Sequence, residues 1–264
     1  KGLGWTLTIM AVFISVYFVF ISGMNDWEIS QQNGTVILAG VKLTVSSSFS
    51  TYDIINTKVN STAIITAPNL GNISIEPNSE FKRLDKKNTA ELVIGKISVD
   101  WASDEELFKL KIPSAMISNK SPGSIYTVRV KADRSGEIFV KSGMINVTYE
   151  NKEVIAAANY YIEFDEKLGV SMPFHKNSDP DFIAAVREFL LTRSELHVER
   201  IVSLSTKLNS LTLWNLFRFI NPAKRLLVYR KLNELVPHSN KITNKDVLDL
   251  NPEKLQIWLD EITK

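Results

Sequence analysis

Few residues of this 264-residue chain have the type and spacing to do chemistry. The three histidines, His175, His197 and His238, lack the spacing of metal ligands, so we interpret each as a surface or hydrogen-bonded histidine. Asp104-Glu105-Glu106 is an acidic cluster without the ligand-loop pattern of a calcium site, and it predicts a solvated loop. The chain has no cysteine, which excludes disulfides, zinc–cysteine sites and thiol nucleophiles together.

Other signatures of catalysis are missing as well. The sequence contains no H-E-x-x-H, G-x-S-x-G or phosphate-binding-loop motif, each of which places specific side chains around a reacting group. We therefore predict no catalytic, cofactor-binding or metal-binding residues, no cofactor, and a protein that is not an enzyme. The net charge of +2 gives no broad nucleic-acid footprint, and we interpret Lys224-Arg225 and Arg230-Lys231 as a solvated helix face.

An uncharged run at residues 3–24 separates a short amino-terminal segment from the rest of the chain. A run of this length crosses a hydrocarbon core of about 30 Å, and it exceeds the core of about 7–15 residues in a secretory signal. It predicts one transmembrane helix within residues 1–25, with Trp5 and Trp27 as interfacial aromatics. Lys1 precedes the run and acidic residues follow it, which favours an inside amino end and an outside bulk.

From about residue 34 to residue 164 the apolar pattern has period two, interrupted by turn formers such as Pro68-Asn69 and Asp133-Arg134-Ser135-Gly136. Short alternating runs at this spacing predict a mainly antiparallel sandwich, barrel or stacked sheet. We assign residues 26–166 to this β domain. The predicted strands are 35–38, 41–45, 62–66, 72–75, 90–94, 96–99, 107–112, 124–130, 137–140, 144–149 and 154–158.

The period changes near residue 179. Asp179-Pro180, Asn221-Pro222 and Asn251-Pro252 each place an N-capping side chain before a proline at the first helical position. Ser194 and Thr243 are further candidate caps, and Pro237 predicts a helix end. We expect a linker at 167–178 and an all-α domain at 179–264, whose core includes the apolar residues Trp214, Phe217, Phe219 and Ile220.

Several short steps follow one another in the β zone between about residues 53 and 147. They are Asp53–Thr57, Ser61–Ile65, Gly71–Ser79, Leu92–Val99, Ile112–Ala115, Gly123–Val128 and Val140–Val147. In this order the steps resemble the FecR domain of bacterial membrane signalling proteins. Two positions depart from the family pattern: Tyr52 stands at the opening glycine, and Ile112 precedes Pro113 in place of threonine.

The helical tail is similar to a module that follows some FecR domains. The matching segments are Thr212–Leu216, Arg225–Pro237, Val247–Leu250 and Trp258. A small helical bundle whose tryptophans and leucines are simply core is the alternative interpretation of the same residues.

The resemblance implies a sensor or transducer in the bacterial inner membrane, with the bulk of the chain in the periplasm. It implies a periplasmic protein partner, such as an outer-membrane transducer, and a sigma factor bound by a cytoplasmic segment that we expect upstream of Lys1. An exposed strand edge could receive the partner by strand pairing. The alternative is a membrane-anchored structural or adhesive surface protein without a transcriptional role, and an anchored hydrolase has no supporting motif.

Overall fold

The computed structural model describes residues 27–103, 107–238 and 242–264, a mainly β part followed by a helical part. The β part has two sheets. The strands are β1 Trp27–Asn33, β2 Val36–Leu38, β3 Val41–Lys42, β4 Ser48–Phe49, β5 Ile54–Thr57, β6 Thr62–Ala67, β7 Gly71–Ile75, β8 Glu80–Arg83, β9 Thr89–Trp101, β10 Lys109–Ile112, β11 Ala115–Asn119, β12 Ser124–Val130, β13 Gly136–Ser142, β14 Met144–Tyr149, β15 Lys152–Ala157, β16 Tyr160–Asp165, β17 Gly169–Val170 and β18 Phe174–His175.

The two sheets pack through their apolar faces. Sheet A has the order β4-β1-β6-β7-β9-β12-β13-β16, with β17 and β18 beside β16. Sheet B has the order β3-β2-β5-β8-β9-β10-β11-β14-β15. Burial alternates along most strands, as period-two sequences require. Phe49 of sheet A meets Phe81 of sheet B at 6.1 Å between ring centroids, within one continuous core.

Strand β9 belongs to both sheets and changes sheet at Gly95. Residues before Gly95 pair with β8, and residues from Gly95 onward pair with β12. Gly95 has a φ of +101°, and a Cβ there would lie 2.4 Å from the Ser79 Cα, so only glycine fits. The Ser79 hydroxyl accepts from the Lys96 amide at 3.0 Å, and the Ser79 amide donates to the Thr57 hydroxyl at 3.0 Å. Residues of the FecR-like steps thus shape this crossing.

The prediction of a mainly antiparallel β domain is confirmed, but several strands differ from the predicted runs. The predicted strands 90–94 and 96–99 are one strand, because Gly95 redirects the chain without ending the ladder. Among the described strands, β9 and β10 form the one parallel pair. Strands β1, β4, β5, β8, β11 and β16 were not among the predicted runs. The stretch 167–178, expected as a linker, contributes β17 and β18 to sheet A.

The helical part begins where the predicted caps lie. Asp179, Asn221 and Asn251 accept from Asp181, Lys224 and Lys254 amides, each with proline at the start of the helix. Thr243 forms a capping box with Asp246. Ser194 is not a cap, because the next helix starts after Glu195. The elements are α1 Pro180–Thr192, α2 Leu196–Leu204, a 3₁₀ turn Lys207–Asn209, α3 Ser210–Leu216, α4 Pro222–Leu235, α5 Asn244–Leu248 and α6 Pro252–Ile262.

The predicted anchor at residues 1–25 and the acidic cluster 104–106 lie outside the described residues. None of the helices in the described part has the length and apolar character needed to cross a bilayer. The interpretation of Trp27 as an interfacial aromatic is wrong. Trp27 is 1% exposed and packs against Phe49, Trp101 and Phe108 at 6.0–6.3 Å between ring centroids.

Candidate interaction surfaces

The titratable residues considered for chemistry do not come together. His175 stacks edge-on against Tyr160, His197 lies 3.3 Å from Glu188, and His238 lies beside Tyr229 and Trp258. Within the described ranges no group of histidines and carboxylates has the arrangement of a metal site.

One candidate surface is the edge of sheet B at β3, where the sheet ends without a further strand in the described residues. Leu38 and Val41 flank a two-residue turn in which Ala39 and Gly40 have φ values of 48° and 84°, the signs that a type I′ hairpin needs. The Leu43 amide donates to the Val36 carbonyl at 2.9 Å. This register turns the main-chain groups of Lys42 away from β2. No other strand of the described part pairs with that side of β3.

The side chains along this edge are suited to a partner strand. Val41 and Val45 lie on either side of the half-buried Leu43 and are 68% and 71% exposed. Val41 pairs with Leu38, and the Leu43 amide bonds to the Val36 carbonyl, so Val41 and Leu43 share the core-facing side of the sheet. Val45 lies in the bend that follows β3. Lys42 is the one charged residue between Ile29 and Tyr52. A strand added beside β3 would cover Val41 and extend toward Val45, and an acidic residue in it would be favoured near Lys42.

The opposite edge of sheet B, at β15, is closed by the helical part. The side chain of Asn215 is fully buried, and its Oδ1 accepts from the Ile155 amide at 2.7 Å. Its Nδ2 donates to the carbonyls of Ile155 at 2.9 Å and Leu211 at 2.8 Å. One amide side chain of α3 thus makes the two main-chain hydrogen bonds that a further strand would make with Ile155.

Three more hydrogen bonds join the helical part to the β part near Asn215, and we call this whole contact the seam. The Tyr160 hydroxyl donates to the Leu208 carbonyl at 2.7 Å, and the Thr212 hydroxyl donates to the Pro173 carbonyl at 2.6 Å. Asn209 donates to the Ser178 hydroxyl at 2.7 Å. Burial raises the pKa of Tyr160 to about 12, so its hydroxyl stays a donor at neutral pH. The seam is built to hold the two parts in one orientation.

A cleft of about 370 Å³ lies along the seam, lined by Met144, Ala157, Tyr160, His175 and Leu211 among others. Burial, with a smaller effect of Lys176, lowers the pKa of His175 below its ordinary value of 6.5. The His175 Nδ1 accepts from the Asn177 amide at 3.1 Å, which requires that nitrogen to be unprotonated.

The four core candidates of the tail behave largely as predicted. Trp214, Phe217 and Ile220 are buried, and the Trp214 indole donates to the Leu255 carbonyl at 2.9 Å. Phe219 is half-buried, with the Lys152 Nζ at 5.0 Å and the Arg193 Cζ at 5.5 Å from its ring centroid. The role of Asn215 was missed, because an asparagine among leucines carries no sign of its strand partner.

Comparisons with known proteins give a distant structural similarity. The chain matches no protein-family model and no curated protein. Two crystal structures of a "putative anti-sigma factor" from Parabacteroides distasonis are similar to it, each with a TM-score of 0.40, at 16% and 14% identity. The similarity covers 50% of this chain and 63% and 62% of those chains, so the chain spans less than two thirds of their length.

Proposed function

We propose that the chain is part of a single-pass inner-membrane regulator of the FecR-like kind. In this proposal residues 3–24 cross the membrane and the β domain lies in the periplasm, where it binds a protein partner. The signal then passes across the membrane to a sigma factor held by a cytoplasmic segment. The proposal rests on the ordered FecR-like steps in the sequence and on sheet B, whose β3 edge is open and whose β15 edge is closed by the helical part.

The observation that carries the binding role is the β3 edge. Main-chain groups that point outward at Lys42, beside the exposed side chain of Val41 on the core-facing side, form a template for an added strand. Each valine that a partner covers removes apolar surface from water, worth about 25 cal/mol per Å². A partner that binds only one conformation of the periplasmic part would shift the population of the whole protein toward it.

The test is transcript profiling of the source bacterium with chromosomal variants. Val41→Asp with Val45→Asp places two charges where the partner strand would pack, and we expect the signal-dependent transcripts to lose their response. Val59→Asp is the matched control, because Val59 is 68% exposed but lies in the β5–β6 turn. Membrane abundance of each variant is measured by immunoblot.

Deleting residues 26–178 tests the sensor role as a whole. If transcription changes in the deletion strain but stays normal in the Val41→Asp, Val45→Asp strain, the regulatory role is supported and β3 is rejected as the binding site. Unchanged transcription in both strains would reject the regulatory role and favour the anchored surface protein.

A further inference from the structure

One end of the sandwich is closed by an aromatic cluster that lies next to the apolar run in sequence. Trp27 is buried at the start of β1, and only Asn25 and Asp26 separate it from Met24, where the uncharged run ends. The Arg83 guanidinium lies 4.6 Å from the Trp27 ring centroid and donates to the Phe49 carbonyl at 2.8 Å. Trp27 is thus held firmly in the core.

Several loops leave the sandwich beside this cluster, among them the turn at 68–70, where the Leu70 carbonyl accepts from the Ala102 amide at 2.9 Å. The 50–53 turn is tied to β8, since the Tyr52 amide donates to the Arg83 carbonyl at 2.9 Å. The 84–88 turn joins β8 to β9, and Phe108, which stacks on Trp101 at 4.8 Å between centroids, precedes β10. We call the surface formed by residues 50–53, 84–88 and 107 the Trp27 end.

Tyr52 is the unusual residue of the Trp27 end. Its φ is 72°, a left-handed conformation that costs a bulky side chain roughly 1 kcal/mol. Its side chain is 72% exposed, so packing within the chain returns little of that cost. A left-handed φ is uncommon at a bulky residue and occurs both in tight turns and at functional sites. Tyrosine is enriched at the membrane–water interface, because its ring is apolar and its hydroxyl is polar.

The neighbours of Tyr52 have the same character. Leu107 is 49% exposed. Lys86 and Lys87 are exposed and form no ion pair with any described residue. The carboxylate of Asp53 accepts from the Ser50 amide, and that of Asp85 accepts from the Lys87 and Thr89 amides. An exposed ring and an exposed leucine suit the headgroup layer of a membrane, and Lys86 and Lys87 can bind its phosphates. Negative charge lies nearby in the chain as well, because Lys87 interacts with the Asp85 carboxylate and Asp104-Glu105-Glu106 directly precedes Leu107.

The length of the connecting chain limits how far this surface can be from the lipid. Three residue steps separate Met24 from Trp27, a reach of at most about 10 Å. Each headgroup layer is about 5–8 Å thick. If residues 3–24 span the bilayer, the Trp27 end must therefore lie at or just above the headgroups.

We infer that the Trp27 end is a membrane-contact surface, with Tyr52 and Leu107 in the headgroup layer and Lys86 and Lys87 beside anionic phosphates. The inference rests on the proposed anchoring of the chain. In this arrangement one end of the β domain contacts the membrane, and the β5–β6 turn at Val59 lies at the end farther from it. Tyr52 and Val59 lie at opposite ends of β5, about 20 Å apart.

The absence of cysteine makes the test clean, since each introduced thiol is the only one to label. Tyr52→Cys, Leu107→Cys and Val59→Cys are prepared in the full chain, labelled with a fluorophore and reconstituted into vesicles of phosphatidylethanolamine and phosphatidylglycerol. Quenching by lipids that carry a nitroxide near the headgroup reports contact with the interface. We expect at least about twofold stronger quenching at positions 52 and 107 than at 59, the matched exposed control.

The outcomes separate the inference from the proposed function. A chain that stays in the vesicles after alkaline carbonate extraction, but shows equal quenching at 52 and 59, overturns the membrane-contact surface alone. Extraction of the chain by carbonate overturns the anchor and this inference together. Retention with selective quenching at 52 and 107 supports both. Tryptophan emission from the aromatic cluster confirms that each labelled variant is folded.

Discussion

Asn215 provides the sharpest test of how the helical part is attached. In Asn215→Leu the volume of the side chain is nearly unchanged, but the amide and carbonyl of Ile155 lose their partner in a buried site. Leaving a buried polar group unsatisfied costs about 1–3 kcal/mol, so two such groups predict a loss of about 2–6 kcal/mol. The Leu211 carbonyl adds little, because it keeps its helical hydrogen bond.

The measurement is native-state hydrogen exchange of the Ile155 amide, combined with urea unfolding of the chain in detergent micelles. We expect the variant to lose protection at Ile155 before it loses protection in the centre of β9. Asn233→Leu is the control: it makes the same change within α4, and the Asn233 side chain has no hydrogen bond in the described part. Its free energy of unfolding should change by less than about 0.5 kcal/mol. If the two variants prove equally stable, the amide of Asn215 does not hold the seam.

The remaining predictions concern packing, pH and charge. Gly169→Ala should lower the stability of the chain by about 1–3 kcal/mol more than Gly40→Ala does. The two glycines have similar φ values, but a Cβ at 169 would lie 2.3 Å from the Tyr149 ring, while nothing lies near position 40. Midpoints of urea unfolding compare the two variants, and equal losses would reject the packing argument. The pKa of His175 is lowered in the folded chain, so the unfolded chain takes up the proton at higher pH than the folded chain does. The free energy of unfolding should therefore fall as pH decreases through about 6.5. In His175→Gln the loss of stability between about pH 8 and about pH 5 should be smaller. Arg187 forms an ion pair with Glu163 through two hydrogen bonds, but both side chains are solvated. Arg187→Gln should therefore lower the stability by less than about 1 kcal/mol, and by less still in high salt. A larger loss of stability that does not depend on salt would contradict this.

Local signals in the sequence predict local structure well here. An Asx residue before proline fixes three helix starts, because the capping bond and the proline φ involve neighbours in the chain. Period-two runs locate many of the strands for the same reason. Ser194 fails as a cap although its type is right, because Glu195 occupies the position before α2.

Features that depend on distant partners were not predictable from the pattern. The apolar run before Trp27 makes it look like an interfacial residue, whereas its burial depends on Phe49, Trp101 and Phe108 from three other segments. The parallel pairing of β9 with β10 joins Thr89 to Lys109, which lie far apart in the chain. Asn215 is interpretable only once β15 is known to be an edge strand, since its partners lie 60 residues away.

The shared strand β9 has a consequence for how small this β domain can be made. Residues 89–94 and 95–101 of one continuous strand are hydrogen-bonded into different sheets. Removing the strands of either sheet would therefore leave half the length of this central strand unpaired. Removing the chain on either side of β9 would take away β7 and β8 or β10 and β12, and β9 would become an edge strand along its length. We expect the two sheets to unfold in a single transition, and no truncation on either side of Gly95 to give a stable half. The smallest foldable unit of this region is the whole sandwich.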